Sequence, residues 1–226
     1  MDFRDSEAEL TFRERLRGWL TEQAPNFPKS TEEYWARQGE WHQSLHAAGF
    51  FGATWPKKFG GLELPAVYDV IVDEELARAG APPRPSLGYL VTGLGRHGSE
   101  EIQQRFLPGM IDGTERWCQG FSEPGSGSDL ASLTTKAVQD GDRWIINGQK
   151  VWTSFAQFSH RCILLTRTGE GHQGITAFFV DVDTPGISVR PLHTMHGVDE
   201  FCEVYFDDVE VDASRMLGEP GDGWKL

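Results

Sequence analysis

The stretch Trp117–Asp129 separates two halves of the chain whose apolar residues follow different periods. Before it, apolar residues recur at the spacing of a helix, and after it they alternate as in a β-strand. The stretch itself holds three glycines, three serines and one proline. Segments this rich in glycine and this poor in bulk are typical of loops whose backbone N–H groups come close to a ligand. The sequence therefore predicts a loop here, and neither a helix nor an ordinary strand.

The first half predicts a helical N-terminal domain over residues 1–115. Ser6 with Glu9, and Ser30 with Glu33, form capping boxes, in which a hydroxyl and a carboxylate satisfy the free N–H groups of a helix start. Proline at a first helical position and glycine just after a last one mark further boundaries. The predicted helices begin at or near Ser6, Ser30, Pro65, Leu87 and Gly98.

The second half, residues 116–226, predicts an all-β domain. Asn147–Gly148 lies between two β-prone runs and predicts a type I′ hairpin, and Asp140–Gly141 predicts the turn of a second hairpin. About seven short strands separated by turn signals indicate a small barrel or sandwich. The fold class is therefore an α+β multidomain chain, with a helical domain followed by an all-β domain. Later strands are predicted over Cys162–Arg167, Ile175–Val182, Ile187–Val189 and Phe201–Val211.

Charge and cysteine usage restrict the class of protein. The net charge of −13, from 34 acidic and 21 basic residues, repels phosphate backbones, so we expect no nucleic-acid partner. No apolar run approaches the ~18 residues of a bilayer span, and the N-terminus lacks the apolar core of a signal peptide. Cys118, Cys162 and Cys202 are odd in number and far apart, which favours reduced thiols over disulfides or a zinc site. A cytoplasmic location follows as an expectation.

Two clusters in the helical half allow a functional and a structural interpretation. His42 and His46 stand four residues apart and could form half of a metal site, but no glutamate accompanies them as in H-E-x-x-H, which favours an ordinary surface pair. Asp73-Glu74-Glu75 could supply carboxylates for acid–base chemistry, although a solvated helix face is the more usual role of such a run. No metal is therefore expected.

The loop is better suited to holding a ligand than to covalent chemistry. Gly125-Ser126-Gly127 lacks the third glycine of the dinucleotide-binding fingerprint, and no G-x-S-x-G elbow surrounds any of its serines. The nearby Trp152-Thr153-Ser154 segment adds an aromatic face and two hydroxyls, which suits a flat heterocycle bonded along its edge. The alternative, that Trp152 is a core residue, remains open at this point.

Four spaced motifs identify a family. Phe121-Ser122-Glu123-Pro124-Gly125-Ser126-Gly127-Ser128-Asp129 resembles the T-E-P-x-A-G-S-D signature of acyl-CoA dehydrogenases, and Asn147-Gly148-Gln149-Lys150-Val151-Trp152-Thr153-Ser154 resembles their N-G-x-K-x-[WY]-I-[TS] segment. Leu107–Gly113 resembles L-P-x-[LI]-x-x-G, and Asp207–Val211 with Leu217–Trp224 resembles F-x-[DN]-V-x-V-P…L-G-x-x-x-x-G-[WF]. Val151–Ala156 and Pro191–Met195 are most similar to actinobacterial members that act on steroid side-chain or other bulky acyl-CoA esters.

The resemblance implies FAD as cofactor and an acyl-CoA thioester as substrate, which is oxidised to the 2-enoyl-CoA. It implies that Ser122 reaches the N1/O2 side of the flavin, that Trp152 packs on the ring and that the Ser154 hydroxyl lies near N5. Ser128 would also contact the acyl-CoA. Thr153 departs from the usual isoleucine. The implied cofactor-binding residues are Gln119, Gly120, Phe121, Ser122, Gly127, Ser128, Trp152, Thr153 and Ser154.

The resemblance also implies parts that the chain does not match. The family's glutamate base usually lies in a C-terminal helical bundle, so no catalytic residue is assigned within residues 1–226. A homo- or hetero-oligomer, usually a tetramer, and an electron-transferring flavoprotein-like acceptor are expected. Three functions remain open: an FAD-dependent acyl-CoA dehydrogenase seen without its last domain, a non-catalytic subunit of a heteromeric assembly, and a flavin oxidase or monooxygenase of the same fold.

Overall fold

The computed structural model describes residues 4–195, 197 and 199–225. Contacts group the chain into two compact units, one running up to Leu87 and including Leu107–Thr114, the other containing Gly88–Phe106 and Glu115 onward. The proposed domains, 1–115 and 116–226, follow the change in secondary structure rather than this grouping. The helices are α1 (Glu7–Gln23), α2 (Thr31–Ala47), α3 (Val67–Ala79), α4 (Gly88–His97) and α5 (Glu100–Asp112).

The helix starts follow the capping chemistry closely. At α1 the Glu9 N–H donates to Ser6 Oγ at 3.3 Å and the Ser6 N–H donates to Glu9 Oε2 at 2.6 Å, so both halves of the predicted box form. At α2 the Ser30 hydroxyl accepts from the Glu33 N–H, but the Glu33 carboxylate accepts from the Lys29 N–H instead of closing the box. Among the described residues no helix has the length and apolarity needed to cross a bilayer.

Glu75 corrects the prediction of a solvated acidic face on α3. Its side chain is buried and lies between α3 and α1, where it accepts from Arg17 Nε at 2.7 Å and from Arg13 Nη1 at 2.7 Å. The Arg17 hydrogen bonds, aided by Arg13, hold the pKa of Glu75 at about 2 although burial acts to raise it. The sequence could not distinguish this residue from its neighbours because all three are acidic; only the helical register turns Glu75 inward.

Replacing Glu75 with glutamine should lower the free energy of unfolding at pH 7 by about 2 kcal/mol, because Arg17 loses its carboxylate partner and Arg13 keeps only Asp5 and Glu74. The folded pKa lies below the ordinary value of 4.5, so the stabilisation is present above that pH and is lost as the pH falls toward 2. Urea unfolding of wild type and Glu75→Gln at pH 7 and pH 3 measures both effects. The free energy of unfolding should fall less from pH 7 to pH 3 in the variant than in wild type. Glu40→Gln, in an exposed pair with Arg37, should change it by under about 0.5 kcal/mol; equal losses in the two variants would contradict the prediction.

His42 is not the surface residue that its sequence suggested. It is buried, its ring packs against Phe51 at a centroid distance of 4.0 Å, and its Nε2 atom has no hydrogen-bond partner among the described residues. Burial lowers the pKa of His42 to about 4, so the ring is neutral at pH 7. In the described part of the chain, no three His, Cys, Asp or Glu side chains come together in a way that could hold a metal ion.

The second unit is built on one eight-stranded sheet within the described residues. Its strand order is β6-β7-β3-β2-β4-β5-β8, and β1 pairs with β4. The predicted succession of a helical domain and a β domain is confirmed, and the sheet stays open rather than closing into a barrel. Its strands are β1 (Trp117–Gly120), β2 (Lys136–Asp140), β3 (Arg143–Ser154), β4 (Arg161–Arg167), β5 (Ile175–Asp181), β6 (Ile187–Leu192), β7 (Phe201–Asp212) and β8 (Met216–Leu217).

Strand β1 overturns part of the loop prediction. Trp117–Gly120 pairs in parallel with Arg161–Leu164 of β4, so only the rest of the stretch up to Asp129 is irregular apart from one isolated bridge. Cys118 and Gly120 are buried on one side of β1. A parallel strand of four residues carries no hairpin signal, because its partner lies more than forty residues away in the sequence.

The predicted hairpin at Asn147–Gly148 is wrong, whereas the hairpin of β2 and β3 at Asp140–Gly141 is confirmed. Strand β3 runs straight through Asn147–Gly148, which form a bulge opposite β7. The Asn147 side-chain amide exchanges two 2.9 Å hydrogen bonds with Asp208 and so stabilises the bulge. Gly148 has a φ of 150°, and a Cβ there would stand 2.6 Å from Thr135 Oγ1, so glycine allows the close approach of two chain segments.

Candidate functional site

The candidate site lies where the segment after β1 meets the end of β3, within the sheet unit. The Val151 N–H donates to the Ser122 carbonyl at 2.9 Å, and Lys150 Nζ donates to the Phe121 carbonyl at 3.0 Å. These two bonds bring together the two motifs that the sequence analysis selected, which are 29 residues apart at Phe121 and Lys150. The chain therefore forms one continuous site from Phe121–Ser122 and the Val151–Ser154 end of β3.

A buried ion pair lies beneath this junction. Lys150 Nζ donates to Glu123 Oε1 at 2.8 Å, and the side chains of Lys150 and Glu123 are 0% and 4% exposed. The Glu123 carboxylate also accepts from the Thr134 N–H at 2.7 Å, the Thr134 hydroxyl at 2.7 Å and the Thr135 N–H at 2.8 Å. Four hydrogen bonds thus join three separate segments of chain at one carboxylate.

The Glu123 carboxylate is ionised at neutral pH. Burial acts to raise the pKa of Glu123, but the hydrogen bond and charge of Lys150, followed by Thr135 and Thr134, outweigh it and bring the pKa to about 2. Burial lowers the pKa of Lys150, and Glu123 opposes that shift. Sequence reasoning quoted both residues within family motifs but gave them no role. An acidic residue in an otherwise small-residue loop and a lysine within an apolar strand were the available signals.

Trp152 is displayed outward by a second bulge of β3. The register against β7 shifts between Lys150 and Thr153, and Trp152 takes a φ of 60°. A bulky residue in the left-handed region is an outlier that costs about 1–3 kcal/mol and is concentrated at functional sites. The indole is 59% exposed and meets Phe201 edge-on at 5.7 Å. The interpretation of Trp152 as a core residue is therefore wrong.

The two hydroxyls that follow Trp152 differ in setting. Thr153 is 0% exposed, and its Oγ1 atom has no hydrogen-bond partner among the described residues. Ser154 is exposed at the end of the strand. Because the Thr153 side chain has no exposed surface while Trp152 and Ser154 are exposed on either side of it, Thr153 can meet a ligand only through its backbone.

The glycine-rich part of the segment forms a tight turn. Glu123 and Ser126 exchange backbone hydrogen bonds of 2.8 and 3.0 Å, and the Ser126 hydroxyl donates to the Asp129 carbonyl at 2.9 Å. Ser126 is buried in this structural role, which argues against a nucleophile at that position. Gly127 and Ser128 lie exposed on the turn, and a Cβ at Gly127 would meet nothing within 4 Å.

Gln119 and Gly120 take opposite orientations in β1. Gln119 is exposed, whereas Gly120 is buried and a Cβ there would lie 3.0 Å from Cys162 Sγ and from the Leu164 side chain. Packing against β4 therefore accounts for the glycine, and any contact of Gly120 with a ligand is limited to its backbone. The structure brings Phe121, Ser122 and the end of β3 together, while no bond recorded within the described residues links Gly127 or Ser128 to them.

These features fit a flat, edge-bonding cofactor such as the flavin ring. The Trp152 indole offers a free aromatic face, the exposed Ser154 adds a hydroxyl next to it in the chain, and the open side of Gly127 leaves room beside the turn. No charged side chain among Gln119–Ser122 or Trp152–Ser154 competes with a neutral ring. The residues that would hold it are the ones that the family resemblance selected.

Comparison with known proteins settles the family. Residues 6–114 match the acyl-CoA dehydrogenase N-terminal domain, and residues 118–209 match the acyl-CoA dehydrogenase middle domain. The chain belongs to the acyl-CoA dehydrogenase family. Members of this family are FAD-binding flavoproteins, which agrees with the chemistry of the site.

Similar acyl-CoA dehydrogenases come from mycobacteria. Acyl-CoA dehydrogenase IpdE1 of Mycobacterium tuberculosis is 44% identical over 230 residues, which cover 95% of this chain and 60% of IpdE1. Acyl-CoA dehydrogenase FadE34 of the same organism is 42% identical over 189 residues, covering 81% of this chain and 26% of FadE34. The chain therefore spans only part of the length of the curated relatives that it matches.

Two solved structures share the fold. The ChsE4-ChsE5 complex from Mycobacterium tuberculosis superposes with a TM-score of 0.89 at 33% identity, covering 100% of this chain and 59% of that one. The Tcur3481-Tcur3483 steroid ACAD gives a TM-score of 0.85 at 31% identity, covering 100% and 60%. The similarity to the actinobacterial steroid subgroup of acyl-CoA dehydrogenases, expected from the sequence, is confirmed by these relatives.

Proposed function

We propose that this chain forms the flavin-holding part of an FAD-dependent acyl-CoA dehydrogenase that converts an acyl-CoA thioester into the 2-enoyl-CoA. The observation that carries the proposal is the Trp152 bulge: a strained backbone displays a bulky aromatic side chain to solvent beside two hydroxyl residues. Such an arrangement opposes folding stability and is explained by a ligand that the ring contacts. In this proposal the implied cofactor-binding residues keep the roles that the family resemblance gives them.

Each residue would make one kind of contact. Trp152 supplies an aromatic face, the Ser122 and Ser154 hydroxyls supply donors at the ring edge, and the buried Thr153 contributes through its backbone. FAD bound in this way would supply the acceptor for a hydride from the β-carbon of the acyl chain. Uncharged donors orient the ring without adding a net charge beside it. Ser128, exposed on its turn, is proposed to reach the acyl-CoA.

The remaining parts of the reaction lie outside the described residues in this proposal. A glutamate in the region of the relatives that this chain does not cover would remove the α-proton, and an electron-transferring flavoprotein-like carrier would accept the electrons. The substrate proposed is a bulky acyl-CoA ester of the steroid type, because the similar Tcur3481-Tcur3483 structure is that of a steroid ACAD. A cytoplasmic location and a tetrameric assembly remain proposals.

A heteromeric assembly is the second candidate. The two similar solved structures each carry a pair of names, ChsE4-ChsE5 and Tcur3481-Tcur3483, and the first is a complex. We therefore propose that this chain acts with a second acyl-CoA dehydrogenase-like subunit. The Trp152 bulge favours a flavin-holding role for it over a purely structural one, because a structural subunit has no use for an exposed, strained indole.

The test is an anaerobic titration of the full-length protein with acyl-CoA esters. The protein is purified once alone and once after co-expression with the second acyl-CoA dehydrogenase-like subunit. We expect a yellow protein whose flavin absorbance bleaches on addition of a steroid acyl-CoA ester, and bleaches less with short- or long-chain acyl-CoA. Rapid reoxidation by oxygen would instead favour the oxidase. A protein that contains no flavin in either preparation would contradict the proposal.

A further inference from the structure

We propose that Lys150 is a positioning residue for the flavin: its ammonium fixes the Phe121–Ser122 peptide so that the Ser122 N–H is presented to the ring. Glu123 acts through Lys150 by holding that ammonium in place. The inference rests on the proposed function and deepens it, since it assigns a task in cofactor binding and redox tuning to an ion pair that touches neither the substrate nor the site surface.

The geometry of a single peptide unit carries the inference. A trans peptide is planar, and its carbonyl and N–H point in opposite directions. The described chain has no cis peptide, and the Phe121 carbonyl points inward to Lys150 Nζ at 3.0 Å. The N–H of Ser122 belongs to the same peptide unit and therefore points away from Lys150. No hydrogen bond recorded in the described part of the chain uses that N–H.

The neighbouring contacts prevent this peptide from turning over. The next carbonyl, that of Ser122, accepts from the Val151 N–H at 2.9 Å, so β3 holds the peptide units on both sides of Ser122 Cα. Lys150 itself cannot move toward water without leaving Glu123, which the backbone N–H groups of Thr134 and Thr135 and the Thr134 hydroxyl hold in place. The direction of the Ser122 N–H is therefore set before any cofactor arrives.

The charge of Lys150 has a second effect, in addition to fixing the direction of the Ser122 N–H. A hydrogen bond from an ammonium to a carbonyl polarises the peptide, which makes its N–H a stronger donor, and burial strengthens the effect. The flavin edge that the family resemblance assigns to Ser122 gains negative charge on reduction. A polarised donor at that edge stabilises the reduced ring more than the oxidised one. Lys150 should therefore raise the flavin reduction potential as well as strengthen binding.

A purely structural ion pair would behave differently. Removing it would alter stability alone, and replacing both partners with neutral groups of similar size could restore that stability. The double variant Glu123→Gln/Lys150→Met removes one charge of each sign, so the net charge near the site is unchanged. A shift of potential in that variant would report the lost hydrogen bond to Phe121, and not a change in net charge.

The experiment compares the full-length wild type with Lys150→Met, Lys150→Arg and the double variant. Two quantities are measured: the dissociation constant of FAD from the apoprotein, by fluorescence quenching, and the midpoint potential of the bound flavin, by spectroelectrochemical titration. We expect Lys150→Met and the double variant to weaken FAD binding at least tenfold. The affinity for the reduced flavin should fall a further tenfold relative to the affinity for the oxidised flavin. For a two-electron couple this corresponds to a shift of the midpoint potential of about 30 mV to lower values. Lys150→Arg, which keeps a cationic donor, should retain most of the FAD affinity of wild type and a midpoint potential close to that of wild type.

The control is Arg161→Met, in the same unit, where Arg161 pairs with Glu115 and Asp181 away from Phe121. It should lower stability and leave the potential unchanged. If Lys150→Met fails to fold, the double variant decides. An unchanged potential in a yellow double variant overturns the inference and leaves the proposed function standing. A wild type that binds no FAD overturns both.

Discussion

The Glu123→Gln substitution should lower the free energy of unfolding at pH 7 by about 3–5 kcal/mol, because it leaves the fully buried Lys150 ammonium without its compensating charge. The Glu123 pKa of about 2 lies below the ordinary value of 4.5. The stabilisation is therefore present above pH 4.5 and is lost as the pH falls toward 2. Guanidinium unfolding of wild type and Glu123→Gln between pH 3 and pH 7 measures it, and the two curves should converge at the acidic end.

Two controls separate burial from charge in this experiment. Glu210→Gln removes an exposed partner of Arg143 from the same sheet and should cost under about 0.5 kcal/mol. Adding Lys150→Met to Glu123→Gln should recover part of the loss, since no uncompensated charge then remains inside the protein. A Glu123→Gln variant as stable as Glu210→Gln would show that Lys150 finds another partner or reaches water.

The Trp152→Gly substitution should weaken FAD binding by about 10- to 100-fold. It should leave the free energy of unfolding of the apoprotein within about 1 kcal/mol of wild type. Stacking of a flat ring on an aromatic side chain contributes about 1–3 kcal/mol, which the variant loses. The left-handed backbone at Trp152 costs about 1–2 kcal/mol for a non-glycine residue, and glycine removes that cost. This gain offsets the lost packing on Phe201. Fluorescence titration with FAD and urea unfolding of the apoprotein measure the two quantities.

The comparison with alanine isolates the backbone effect. Trp152→Ala loses the same ring but keeps a Cβ in the left-handed region, so it should bind FAD as poorly as glycine and unfold more easily by about 1 kcal/mol. Trp224→Ala removes another exposed tryptophan of the sheet unit and should leave FAD affinity unchanged. Wild-type affinity in Trp152→Gly would rule out the proposed stacking.

Local chemistry made the helices predictable. The Ser6–Glu9 box starts α1 as expected, since the donors that it satisfies lie within one turn. The strands were predictable where a β-prone apolar run was continuous, as in β4 and β5, or where apolar and polar residues alternated, as in β7. The order of the strands and the position of β1 were not, because pairing between residues far apart leaves no mark in the local pattern. The Asn147–Gly148 error has the same origin: the dipeptide permits a positive φ, but its use in a bulge depends on Asp208 and Thr135.

The sequence predicted the residues at the surface of the candidate site, but not the buried ion pair beneath them. The motifs selected Ser122, Trp152 and Ser154 through their hydroxyls and aromatic face, and the structure places the two segments side by side. Glu123 and Lys150 escaped because charged residues are normally assigned to the surface. Only the fold shows that the two are buried, and a charge becomes informative about function when its burial is known.

The buried ion pair has a consequence for the order in which the sheet unit folds. Glu123 and Lys150 are 27 residues apart, and neither can leave water until the other is in place together with the Thr134–Thr135 backbone. The entropy of closing that loop is lost before the bond can form, so contacts of this kind belong to the late part of a folding reaction. Substitutions there should speed unfolding more than they slow folding. The Phe121–Ser122 peptide that Lys150 holds thus reaches its final orientation only when β3 and the Thr134–Thr135 segment are both in place.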